Sequence, residues 1–179
     1  MKIMKIEITE KGSDAFYRDL INIMLAASFI QKNHNYKIRD QFKNYKSLLI
    51  IDLVLLSFMI LLGILFGFKT FLIICLIVLG LSTLLNVYML YSIRRKIQTL
   101  SSEFRPEILT LDESGIELAK EGKEVMRNSW DNVAVVRIST ECIAFIPASR
   151  AGIIFFVGRQ YETEITAWLR ESQPSLEII

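Results

Sequence analysis

SLLIIDLVLLSFMILLGILFGF, residues 47–68, and TFLIICLIVLGLSTLLNVYMLYSI, residues 70–93, stand on either side of Lys69 and decide how the other residues of this 179-residue chain are read. The first holds 17 apolar residues in 22 and one charge, Asp52; the second holds 18 in 24 and no charge. At ~1.5 Å per residue such stretches make helices of roughly 33–36 Å, against a bilayer hydrocarbon core of ~30 Å. Two membrane-spanning helices are predicted, joined by a tight turn at Gly67, Phe68 and Lys69. Outside them the apolar content is ordinary for a globular domain, so the positive mean hydropathy of +0.38 belongs to the hairpin. A soluble protein burying two such helices side by side is the competing reading, and a window of 18 or more mostly apolar residues, met twice, weighs against it.

Lysine and arginine in the flanks set the expected orientation. Lys32, Lys37, Arg39, Lys43 and Lys46 precede the first span, Arg94, Arg95 and Lys96 follow the second, and the turn between them carries only Lys69. Both termini are therefore expected in the cytoplasm, in a multi-pass membrane protein. MKIMKIEITEKGSD has no apolar h-region of a cleavable signal, so the N-terminus is expected to be retained. The net charge of +2 argues against a general nucleic-acid binder. It conceals an asymmetry: residues 1–46 carry a net +4, residues 94–96 add +3, and residues 97–179 carry −5. A basic collar at the membrane and an acidic distal part follow. The collar, Lys37, Arg39, Lys43, Lys46, Arg94, Arg95 and Lys96, is a candidate site for anionic lipid headgroups, each charge contributing ~1 kcal/mol near an anionic leaflet. The same residues also serve as an ordinary positive-inside signal.

The two cysteines, Cys75 in the second span and Cys142 in an apolar run, form no metal-ligand or redox spacing and are expected to pack as small hydrophobes. One histidine, His34, does not assemble a zinc site or a catalytic triad, and it reads as a solvated linker residue. No nucleophile, acid pair or phosphate loop stands out, so no catalytic site, metal or cofactor is expected.

The remaining sequence alternates between strand and helix patterns. Residues 3–10 place Met4, Ile6 and Ile8 on one face of a strand. Ser13 follows as a helix N-cap, and Phe16, Leu20, Ile23, Met24, Ala27 and Ile30 recur at helical spacing. That stripe is expected to cover a sheet or to lie along the membrane surface. A second, basic helical stretch is expected after Asn33-His34-Asn35. Beyond Lys96 come EILTL, a turn at Asp112-Glu113-Ser114-Gly115, IELAK, VMRNSW, VAVVRIS, ECIAFIP closed by Pro147, and GIIFFV, a spacing typical of an antiparallel sheet or small barrel. A last helix, Glu162 to Glu171, turns Ile165, Trp168 and Leu169 to one side.

The leading strand and helix, the tight hairpin, then LTLDESGIEL, SWDNVAVVRISTECIAFIP and a closing helix with TAWLRE resemble the YcxB-like family over nearly the whole chain. The motifs are the turn glycine Gly115, the Trp130-Asp131-x-Val133 step and the Ile146-Pro147 strand end. The resemblance implies a bacterial inner-membrane protein of α+β class, with a two-helix transmembrane hairpin inserted in a small antiparallel pleckstrin-homology-like β domain that ends in a C-terminal helix. It implies no catalytic activity. The expected division is an N-terminal strand and helix at 1–46 that joins the β domain, a hairpin at 47–93, and the β domain proper at 94–179. Ser149 and Arg150, beside the strand-ending proline, are the candidate cytoplasmic contact.

Within the bilayer, Asp52 lies 17 residues before Lys69 and Asn86 lies 17 after it, so an antiparallel hairpin brings both to one depth. A hydrogen bond between them is worth ~0.6–2 kcal/mol in membranes. Lys46, Arg94 and the headgroups are alternative partners for Asp52. Gly63, Gly67, Gly80, Ser57 and Ser82 are candidates for close helix approach. Three functions fit: a membrane-anchored binding protein engaging lipid headgroups or a protein partner; an immunity protein guarding the membrane against a toxin or bacteriocin; and a small channel or transporter using Asp52, which would need a homo-oligomer to line a path.

Overall fold

The computed structural model describes residues 2–179, and they form two compact units. One unit joins the segment up to Ile38 with Thr99–Ile179; the other is Arg39–Gln98.

The first unit is α+β. Strand β1 (Met4–Ile8) precedes helix α1 (Asp14–Ile30), and after the hairpin come β2 (Glu107–Asp112), β3 (Gly115–Lys120), β4 (Met126–Ser129), β5 (Val133–Ile138), β6 (Cys142–Pro147), β7 (Phe155–Gly158) and α4 (Glu162–Ser172). The strands make two antiparallel sheets, β1-β2-β3-β4 and β5-β6-β7. β1 lies against β2 with Ile6 opposite Leu109, although about a hundred residues separate the two strands in the chain. The C-terminal residues add a parallel edge to β5: Val136 N donates to Glu177 O at 2.9 Å and Ile179 N to Val136 O at 3.0 Å.

Alternation explains the core. Ile6, Leu109, Leu111 and Leu118 from the first sheet meet Val136, Ile143, Phe145 and Val157 from the second, and α4 adds Ile165, Trp168 and Leu169. Val135, Cys142, Ala144 and Ile146 point to the other side of the second sheet, where Ile23, Ala26 and Ile30 of α1 cover them. β6 is thus buried at all six positions, consistent with its nearly continuous apolar run. Trp130 is not in a strand: it opens a short 3-10 turn between β4 and β5, and its Nε1 donates to Asp112 O at 2.7 Å. The β2–β3 turn is held by Asp112, whose Oδ1 accepts from Ser114 N at 2.7 Å and Gly115 N at 2.9 Å. The Ser114 hydroxyl, first, and these amides keep the Asp112 carboxyl below its usual pKa. A Cβ on Gly115 would lie 2.1 Å from Asn128 O, so only glycine fits there.

The second unit is the hairpin of α2 (Gln41–Phe66) and α3 (Thr70–Ser102), two helices long and apolar enough to cross a membrane. α2 begins six residues before the span expected at 47–68 and stops two residues short of its end, and α3 runs nine residues past the span expected at 70–93. Asp40 caps α2, its side chain accepting from Lys43 N at 3.1 Å. Gly67 ends the helix at φ 83°, a conformation that side chains with a Cβ rarely adopt, and α3 begins three residues later. Along α2 the less exposed positions step by fours and threes through Tyr45, Leu49, Asp52, Leu56, Met59 and Gly63, and along α3 by sevens through Leu72, Leu79, Asn86 and Ile93. A 3.5-residue period is the signature of a left-handed seam. The remaining faces are apolar and exposed, with Ile64 at 69% and Phe71 at 74%.

Three expectations are corrected. The buried residues of α1 are Tyr17, Leu20, Ile21, Asn22, Ile23, Ala26 and Ile30, a wider arc than the expected stripe and rotated from it, so that Met24 is half exposed and Ala27 only partly buried. The basic helical stretch expected after Asn33-His34-Asn35 starts only at Gln41, from where α2 runs unbroken into the first apolar span; Tyr36 and Ile38 before it pack beside α1 on the outer sheet face. The last strand is Phe155–Gly158 rather than 152–157, since Gly152 sits in a turn against the Pro147 ring.

Candidate functional site

Two groups of polar and charged residues lie in the hairpin unit. In the first, Asp52 projects from α2 into the seam and is 8% exposed; Asn86 is 6% exposed. Ser82 and Asn86 are one turn apart on α3 and so share a face. Both donate to one atom: Ser82 Oγ lies 2.7 Å from Asp52 Oδ2 and Asn86 Nδ2 2.9 Å from it. The Asp52–Asn86 contact at equal depth is present, and Asp52 takes these partners in place of Lys46 or Arg94. Ser82 was expected only as a small residue; its i,i+4 relation to Asn86 is the signal that identifies it as a donor. The arrangement fixes the register of the two helices, because a one-residue slip would break both hydrogen bonds to Asp52.

The other small residues act differently from expectation. Gly63 makes room for the Phe68 ring of the turn, which lies 2.3 Å from where a Cβ would stand, and Gly80 faces open space. Ser57 returns its hydroxyl to Leu53 O at 2.8 Å within its own helix.

The second group is the collar. Arg39, Lys43 and Lys46 at the start of the hairpin and Arg94, Arg95 and Lys96 near its end are all exposed. The Arg94 guanidinium lies 5.7 Å from the Phe42 ring centroid, a cation–π contact within the unit. Tyr88 and Tyr91 are exposed on α3 one to two turns before these charges. Lys37 is exposed as well, but it belongs to the first unit.

In the first unit, Ser149 and Arg150 are exposed on the turn after β6. The turn is tied down through its backbone: Gln31 Nε2 donates to Pro147 O at 2.7 Å and to Ser149 O at 3.2 Å. His34 is more than a solvated linker residue. Its ring meets Glu177, and its carbonyl accepts from Arg137 at 3.3 Å.

Asp19 escaped the sequence reading. From α1 it accepts Ser139 Oγ at 2.8 Å and Glu141 N at 3.0 Å, closing the β5–β6 turn, and it lies 3.7 Å from Cys142 Sγ. Burial first, and the Asp19 charge second, push the Cys142 thiol well above its ordinary pKa, so this thiol stays neutral. Among the described residues no group of three or more His, Cys, Asp or Glu side chains is placed to hold a metal ion. No protein-family model, curated protein or solved structure matches the chain.

Proposed function

We propose that the chain is a membrane-anchored, non-enzymatic binding protein of the YcxB-like kind, which presents a pleckstrin-homology-like domain at the cytoplasmic face of a bacterial inner membrane. The observation that carries this reading is the pairing of β1 with β2. It makes the apolar hairpin an insertion in one α+β unit, and an antiparallel hairpin sends both of its connections out at the same end. The domain and both termini then share one side of the bilayer, and the basic residues at that end make it the cytoplasmic side. The sheets of four and three strands followed by a helix support the pleckstrin-homology-like reading. The collar supplies an affinity for anionic headgroups. Asp52 favours helix fastening over an ion path, since Ser82 and Asn86 engage it inside the hairpin.

The test uses the full chain in two settings. Cross-linking in the native membrane, followed by mass spectrometry, is expected to recover a protein partner or a bound anionic lipid. In vesicles of phosphatidylcholine with phosphatidylglycerol, enrichment of the anionic lipid around the protein is expected to fall when Lys43, Lys46, Arg94 and Arg95 are changed to Gln. Absence of both a partner and a lipid preference would overturn the proposal.

A further inference from the structure

α1 is apolar around more of its circumference than the sheet covers. Ile23 and Ile30 are fully buried against the outer face of β6, whereas Met24, Leu25 and Phe29 are 50%, 50% and 54% exposed. Leu25 and Phe29 are one turn apart and share a face, and Met24 is exposed about 100° round the helix from Leu25, at the edge of the same exposed sector. The Phe29 ring is fixed in place, stacked on Tyr36 with 5.2 Å between centroids. Lys32 and Lys37 follow at the same end of the helix, both exposed. Single exposed apolar residues are commonplace. Met, Leu, Phe and Tyr grouped beside lysines make the composition of a segment seated at a bilayer interface, where apolar side chains enter and cations meet phosphate.

Charge and tethering identify the occupant. Residues 1–46, which carry the patch, are net +4, while residues 97–179 are net −5, so an anionic surface is attracted to the former and repelled by the latter. α1 ends at Ile30 and the first membrane-length helix begins at Gln41. The ten residues between them extend to at most about 33–36 Å. A bilayer is therefore always within reach at high effective concentration, whereas another protein would have to arrive by diffusion.

We propose that Met24, Leu25 and Phe29, flanked by Lys32 and Lys37, are a docking surface for the interface of an anionic phospholipid bilayer. α1 thus serves the sheet with one side and the lipid with the other. This inference rests on the membrane-anchored reading, and the test separates the two. Nitroxide labels are attached singly through Leu25→Cys, Val78→Cys and Lys123→Cys in the full chain with Cys75→Ala; Cys142 is buried and stays unlabelled. The chain is reconstituted in vesicles of phosphatidylcholine with a minor fraction of phosphatidylglycerol. Collision with oxygen, relative to a water-soluble nickel chelate, rises with depth. The Leu25 site is expected to fall between the hydrocarbon value at Val78 and the aqueous value at Lys123. Lys32→Gln and Lys37→Gln, or pure phosphatidylcholine, are expected to shift it toward water, lowering the docked-to-free ratio roughly fivefold per lost charge. A Leu25 value equal to that of Lys123, with Val78 in hydrocarbon, overturns the docking surface and leaves the anchor standing. An aqueous Val78 overturns the anchor itself. Shielding of Leu25 from both reagents in native membranes but not in vesicles assigns the patch to a protein and overturns the lipid proposal.

Discussion

Asp52 is the residue whose environment does most to define the hairpin. Its Oδ2 receives both Ser82 and Asn86, so one carboxylate oxygen ties two positions of α3 to one position of α2. A double-mutant cycle between Asp52→Ala and Asn86→Ala, read from reversible unfolding of the full chain in bicelles, is expected to give a coupling of ~0.6–2 kcal/mol in favour of the native pair. Asp52→Asn keeps a side-chain acceptor and is expected to lose less than Asp52→Ala. Zero coupling would show that the contact aligns the helices without stabilising them. The pairing in depth was legible in the sequence because antiparallel helices of equal rise place residues equidistant from the turn side by side. Ser82 was not, because counting from the turn specifies depth and not rotational phase. Gly63 was misread for a related reason: which neighbour fills the space beside a glycine depends on how the turn folds, and here it is Phe68.

Individual elements were the most legible level. Ser13 caps α1, its Oγ accepting from Phe16 N at 3.1 Å, and a period-two pattern marked β1. The face of α1 was legible only in part, since its apolar arc is wide enough to hold both the stripe that meets β6 and the exposed Met24-Leu25-Phe29 patch. Besides apolar contact, Asp19 ties α1 to the sheet by closing the turn between β5 and β6, and Gln31 does so at the other end of the helix. Removing a charged acceptor takes the partner from these part-buried donors, at a cost of ~1–3 kcal/mol. Asp19→Ala is expected to speed alkylation of the buried Cys142 thiol in the folded protein by ~10–100-fold, at about tenfold per 1.4 kcal/mol of easier opening. The rate in urea should stay unchanged. An unaltered native rate would mean that α1 is held on the sheet without help from Asp19.

At the scale of the molecule, the consequential event is that β1 reaches across the hairpin in sequence to pair with β2. Deleting residues 2–10 removes Ile6 from the core and uncovers the edge of β2. Loss of Ile6 alone is worth about 1.5–3 kcal/mol. The truncated chain in detergent is expected to show a lower thermal midpoint and concentration-dependent aggregation; an unchanged midpoint would mean that the first sheet is complete without β1. The sequence by itself determined the two long apolar helices, their tight turn, the asymmetry of charge and most strands, because length, hydropathy and alternation are local quantities that each segment carries alone. Only the tertiary structure decided that the strands divide into sheets of four and three, that β1 joins the first, that α1 lies on β6, and which partners Asp52 and Asp19 take. These are choices among many apolar faces and donors of similar chemistry, and they are settled by the three-dimensional packing that buries the most surface while satisfying the polar groups it encloses.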